Sequence, residues 1–225
     1  MQSEDILRFY QSLIPPTRLP AGIEVLYPQQ HPAVMAIVKT FLDKYYGDDN
    51  PRTLLFGINP GRFGAGNTGI NFTASKQLTE QCGIPHALKL QSELSAEFIY
   101  EMISRFGGCD AFYSRFFISA VSPLGYVKDG KNLNYYDDKQ LQKGVTPFIT
   151  DCINQQCGWN VNRDTCICIG GEKNYRFLAS LNEQHHWFDH ILPVPHPRFI
   201  LQYRRKQTES YIQQYLDALN SALPG

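Results

Sequence analysis

The chain has 225 residues, 43% apolar and 19% charged, which suits one α/β domain with a full core and excludes a disordered chain. Lys plus Arg number 21 and so do Asp plus Glu, so the net charge is zero and any nucleic-acid partner must meet basic residues gathered on one face. Six cysteines without a C-x-x-C pair argue against a zinc ribbon or an iron–sulfur cluster and fit reduced thiols.

In chain order, a helix is expected from Ser3 to about Leu13, stopped by Pro15-Pro16, and a second from about Pro32 to Tyr46, closed by Gly47. Thr53 to Ile58 is a short continuous apolar run, as in a strand buried on both faces. Three more runs follow at Phe116–Val121, Thr165–Ile169 and His190–Val194, the second of these placing Cys166 and Cys168 on one strand face. Helices are expected between them at about Ala96–Arg105, Asp138–Asn154 and Glu172–Asn182, with a last one at Thr208–Leu219. Strands alternating with helices predict a single domain over residues 1–225, a three-layer α/β/α fold with a short, mainly parallel sheet of about four strands. No basic start precedes an apolar run at the N-terminus, and no stretch approaches the roughly 20 apolar residues of a membrane helix, so a soluble, cytoplasmic protein is expected.

Ligands of such sheets bind at the carboxyl ends of the strands. The segments expected to carry chemistry are therefore Asn59–Phe72, Ser122–Asn134, Gly170–Lys173 and Pro195–Lys206. The first reads Gly57-Ile58-Asn59-Pro60-Gly61-Arg62-Phe63-Gly64 and ends Thr68-Gly69-Ile70-Asn71-Phe72. Its glycines permit sharp turns and close approach, Asn59 carries a donor and an acceptor suited to orienting water, and Phe72 offers a ring for stacking on a base. Taken one at a time, these residues are as well explained as turn glycines and a core phenylalanine. No Gly-Lys-Ser/Thr follows, so this is not a Walker loop, and Pro60 breaks a dinucleotide fingerprint.

The whole string resembles the first motif of the single-strand-selective monofunctional uracil-DNA glycosylase family, G-M-N-P-G-P-F-G, three residues, T-G-V-P-F, in frame from Gly57 to Phe72. His196-Pro197-Arg198 resembles that family's H-P-S-P-R, shortened by the Ser-Pro. Gln91-Ser92-Glu93-Leu94-Ser95, Ser122-Pro123-Leu124 and Gly130-Lys131-Asn132-Leu133 resemble its Q-S-E-V-S, C-P-L and G-R-N-L, and the likeness spans about residues 50 to 220.

The resemblance implies a DNA glycosylase that extrudes a deaminated base and hydrolyses its bond to the sugar, with Asn59 positioning the water and His196 stabilising the departing base. It also implies base contacts from Ile58, Gly61 and Phe72, and DNA contacts from Arg198, Phe199, Arg204, Arg205 and Lys206, with Phe199, Ile200 or Leu201 as a wedge. The family places a base-reading Asn where this chain has Ala120. The role then falls to Ser119 or Ser122, or to Asn71 or Asn132, or else selectivity is looser and hypoxanthine or xanthine become extra substrates. The first motif holds no carboxylate, which implies no strong general base, and of the lysines only Lys173 stands near enough to challenge a purely hydrolytic mechanism. No cofactor and no metal are expected, the expected partner is DNA with deaminated bases, and a monomer is expected.

Two rivals stand beside this reading. One is a hydrolase with a Ser or Cys nucleophile and His196 as base, for which no G-x-S-x-G elbow exists. The other is a non-catalytic binder of damaged or single-stranded DNA.

Overall fold

The computed structural model describes residues 2–223. Its centre is a sheet of four parallel strands, β2 (Thr53–Gly57), β3 (Phe116–Ala120), β6 (Thr165–Ile169) and β7 (His190–Val194), in the order β3-β2-β6-β7. Every residue of β2, β3 and β6 is buried, which explains their unbroken apolar runs. The β7 strand lies at an edge and is half-exposed, which lets Pro193 sit in it without costing a ladder bond.

Helices cover both faces, giving the expected three layers. They are α1 (Gln2–Ser12), α2 (Pro32–Tyr45), α3 (Ala65–Thr68), α4 (Ser75–Glu80), α5 (Leu94–Phe106), α6 (Cys109–Tyr113), α7 (Lys139–Cys157), α8 (Glu172–His185), α9 (Pro197–Tyr203) and α10 (Thr208–Ser221). Among the described residues no helix is long and apolar enough to cross a membrane, and all six cysteines are free thiols.

Besides the short helices α3, α4 and α6, two features depart from the expected elements. A second sheet of three antiparallel strands, β1 (Ile23–Leu26), β4 (Gly125–Lys128) and β5 (Lys131–Leu133), is built from strands too short and polar to show a run. Its local mark is Asp129-Gly130, both at positive φ (50° and 68°), the two-residue turn that a tight hairpin requires. The other departure is α9, where Pro197 at the first helical position starts a helix in the Pro195–Lys206 segment, for which no helix is expected.

The chain leaves β2, forms β3 on one side, then crosses back to place β6 and β7 on the other. Winding therefore reverses between β2 and β6, where a crevice opens at the strands' carboxyl ends. Register pairs Gly57 with Ala120 and Ile169 with Val194, so the four strands end nearly level at that crevice.

Candidate active site

A cavity of about 440 Å³ opens at this level, lined by the segment from Gly57 to Gly61, by Asn71, Phe72 and Ala120, by Gly170 after β6, and by His196 and Arg198 after β7. The two turns singled out in the sequence, at Asn59 and His196, 137 residues apart, face one another here. The Phe72 ring and the His196 imidazole have centroids 5.8 Å apart and lie at 49°.

The first turn is held by groups remote in sequence. Asn59 Oδ1 accepts from the Tyr135 N–H (3.0 Å) and its Nδ2 donates to the Leu133 carbonyl (3.3 Å), tying the turn to the end of β5. Tyr135 in turn donates its hydroxyl to Asn174 Oδ1 (2.8 Å). Asn174, fully buried, donates to the carbonyls of Ile169 (3.2 Å) and Gly57 (3.4 Å). A ring of hydrogen bonds thus joins β2, β6, α8 and the β5 segment beneath Asn59. A carboxamide oxygen accepts two bonds, so Asn59 keeps one lone pair for a water.

Phe72 stands at φ 52°, a left-handed conformation that costs a non-glycine residue roughly 1–2 kcal/mol. The loop supporting it is knotted around Thr68, whose Oγ1 donates to the Thr73 carbonyl (2.7 Å) and accepts from the Ile70 N–H (3.2 Å), and Gln29 donates to the Gly69 carbonyl (2.8 Å). The ring lies across the end of β2. A Cβ at Gly57 would stand 2.7 Å from the Phe72 Cε2 atom, so only glycine leaves the ring its place.

The second turn is held locally. His196 is the N-cap of α9, and its Nδ1 accepts from the Arg198 N–H at 3.1 Å. Tyr215 of α10 donates to the preceding Pro195 carbonyl at 2.5 Å. Nδ1 as acceptor places the proton on Nε2, which has no protein partner among the described residues and is left to donate to a ligand in the cavity. Burial, and then the nearby Arg198 charge, pushes the His196 pKa down to about 4, so the ring is neutral at ordinary pH.

The remaining sequence candidates divide. Ile58, Gly61, Arg198 and Phe199 line the cavity. Ser119 and Ser122 are turned away from it, which corrects their placement as base contacts. Ser119 Oγ donates to Gln156 Oε1 of α7 (2.5 Å), and Ser122 Oγ donates to the Leu124 carbonyl (2.8 Å) and meets the Tyr126 hydroxyl (3.0 Å). Arg204, Arg205 and Lys206 are exposed beyond α9, outside the lining, with the Arg204 guanidinium 5.7 Å over the Phe199 ring. Of the wedge candidates Ile200 is fully buried and Leu201 half-buried, whereas Phe199 is exposed.

Several lining residues were not read as site residues from sequence. Glu93 supplies the cavity with a carboxylate, but Oε2 caps α5 at Ala96 N (3.1 Å) and Oε1 accepts from Ser95 Oγ (2.9 Å). Tyr136, its pKa pushed up to about 12 by burial, presents a neutral phenol. Lys173 stands over the Tyr136 ring at 5.8 Å and is not part of the lining. Gly170 approaches so closely that a Cβ there would meet Ile58 at 2.7 Å. Among the described residues five large apolar side chains are exposed, and three of them, Phe63, Phe199 and Tyr203, ring this cavity. An apolar rim of that kind marks a surface built to be covered. No group of three or more His, Cys, Asp or Glu side chains among the described residues is placed to hold a metal.

The site thus offers a stacking ring, a neutral imidazole donor, a carboxamide acceptor and a cationic, aromatic rim around a pocket able to take one planar heterocycle. Residues 44–220 match the uracil DNA glycosylase superfamily profile. The chain is 42% identical to wild-type Pedobacter heparinus SMUG2 as seen in its crystal structure, over 98% of this chain and 97% of that one, with a TM-score of 0.94. No curated protein matches the chain.

Proposed function

Because the chain belongs to the uracil DNA glycosylase superfamily, we propose that it is a monofunctional DNA N-glycosylase, releasing uracil and, as further candidates, hypoxanthine and xanthine from DNA. The observation that carries this reading is the meeting of Phe72, Asn59 and His196 around one cavity.

An extruded base stacks on Phe72. As the glycosidic bond lengthens, positive charge grows on the sugar and negative charge on the departing base. A neutral His196 with its proton on Nε2 donates to that developing anion, a preorganised interaction of the kind worth about 2.7–4 kcal/mol of barrier. Asn59, held rigidly by Tyr135, accepts from the water that attacks the sugar carbon. The water oxygen forms the new bond to that carbon, the base leaves with the bonding pair, and one water proton is released. The sole carboxylate of the lining already accepts two bonds, so Glu93 is assigned a capping role rather than that of a strong base. No lysine contributes to the lining, which favours hydrolysis over a Schiff-base mechanism that would cut the strand.

The test is incubation with oligonucleotides carrying one uracil, hypoxanthine or xanthine. Strand scission is expected only after alkali, and with uracil at least. Binding without alkali-labile sites would instead identify a non-catalytic DNA binder, and scission without alkali would overturn the monofunctional assignment.

A further inference from the structure

Ala120 ends β3 beside Gly57 and offers the cavity only a methyl group, while the hydroxyls of Ser119 and Ser122 are spent elsewhere. One carboxamide does reach this part of the cavity. Asn71, immediately before the stacking ring, lines it together with Ala120, and its Nδ2 donates to the Ile118 carbonyl on β3 at 3.4 Å.

That bond decides which end of the amide is which. Rotating the group by half a turn would set Oδ1 against the Ile118 oxygen, two acceptors face to face. Asn71 therefore keeps Oδ1 as an acceptor and one N–H as a donor. Among the described residues no other carboxamide of the lining bonds to β3. Asn132 Oδ1 accepts from the Arg62 N–H (3.1 Å), Asn59 is tied to the segment after β5, Asn134 lies in that same segment, and Gln202 is exposed on α9.

We propose that Asn71 is the specificity-determining residue that reads the hydrogen-bonding edge of the extruded base, accepting from a ring N–H and donating to the neighbouring carbonyl. Uracil presents that pair as N3–H and O4, hypoxanthine and xanthine as N1–H and O6. Cytosine and adenine present the reverse, a ring acceptor beside an amine, and would meet like with like. The inference rests on the glycosylase reading and deepens it: Asn71 selects the cis-lactam edge and so rejects cytosine and adenine, while thymine and guanine share that edge and are not excluded by it.

The experiment compares single-turnover release of uracil and of 3-methyluracil, whose N3 carries no proton, from otherwise identical oligonucleotides. Wild type, Asn71→Ala and Asn71→Leu, which keeps the branched outline without polar atoms, are measured, each also for affinity to an oligonucleotide with an abasic site. Wild type is expected to prefer uracil, and both variants to reduce that preference by roughly 5- to 150-fold, the equivalent of about 1–3 kcal/mol. Affinity for the abasic site, which has no edge to read, is expected to stay unchanged, a result that a collapsed cavity would not give. A preference unchanged in both variants, with wild type releasing uracil, overturns the assignment of Asn71 alone. A wild type that releases no base overturns the glycosylase reading and this inference with it.

Discussion

The turn after β2 and the turn after β7 reach the same cavity by different means. The Asn59 turn is fastened from outside itself, by Tyr135 and by Asn174 behind it, and it carries a strained Phe72 whose ring needs the bare backbone of Gly57. The His196 turn is fastened by its own imidazole at the start of a seven-residue helix, and past it Arg198, Phe199, Tyr203 and Arg204 are exposed. Rigid support suits the side that must hold a base and a water in register, because small displacements there cost rate. An exposed, cationic and aromatic helix suits the side that must meet a DNA strand.

Four substitutions or conditions can break or sharpen that contrast. The largest effect is expected from Asn59→Leu, which removes the water acceptor and leaves the Tyr135 N–H unpaired. Base release should fall roughly 10²–10⁴-fold, and the protein should lose about 1–3 kcal/mol in denaturant titration. A wild-type rate would show that Asn59 only holds the loop.

Asn174→Leu comes next and acts at a distance. It strands the Tyr135 hydroxyl and the carbonyls of Gly57 and Ile169, so a loss of about 1–3 kcal/mol is expected, with a slower rate and unchanged DNA affinity. Unchanged stability would show that the Asn59 turn does not depend on this remote ring.

Acid should act first through His196. Its folded pKa of about 4 lies below the ordinary value near 6.5, so the unfolded chain takes up its proton first as pH falls. The stability this residue contributes is complete above about pH 6.5 and declines as pH falls toward 4. Protonation would also put an N–H on Nδ1 against the Arg198 N–H and break the cap. Rate should therefore carry no His196 inflection between about pH 5 and 8, and fall as pH nears 4. A rate inflection near pH 6.5 that disappears with His196 would contradict the neutral ring.

The smallest effect is expected from Arg204→Ala or Arg205→Ala on the exposed side. Each should weaken binding to damaged and undamaged DNA alike and lower the salt dependence by about one phosphate contact. Selective loss for the damaged strand would move these cations into base recognition.

Legibility in the sequence follows the same division. The four central strands and the Gly57–Phe72 turn were readable because each is contiguous, and a buried parallel strand leaves an unbroken apolar run. The partners that hold Asn59 were not, since Tyr135 lies 76 residues from Asn59 and Asn174 a further 39 from Tyr135. The facing of Ser119 depended on Gln156, 37 residues away, because a strand buried on both sides gives no alternation to read. Two features did have local marks, the Asp129-Gly130 hairpin and the Pro197 helix start, but strands of three or four residues and a helix of about two turns leave little periodicity around them.

The most direct test of two turns acting on one base is single-turnover uracil release by His196→Ser, which keeps an N-cap acceptor for α9 while withdrawing the imidazole from the cavity. The expected result is a rate lower by about 10²–10³-fold with abasic-site affinity retained. A wild-type rate from a folded His196→Ser protein would contradict the account.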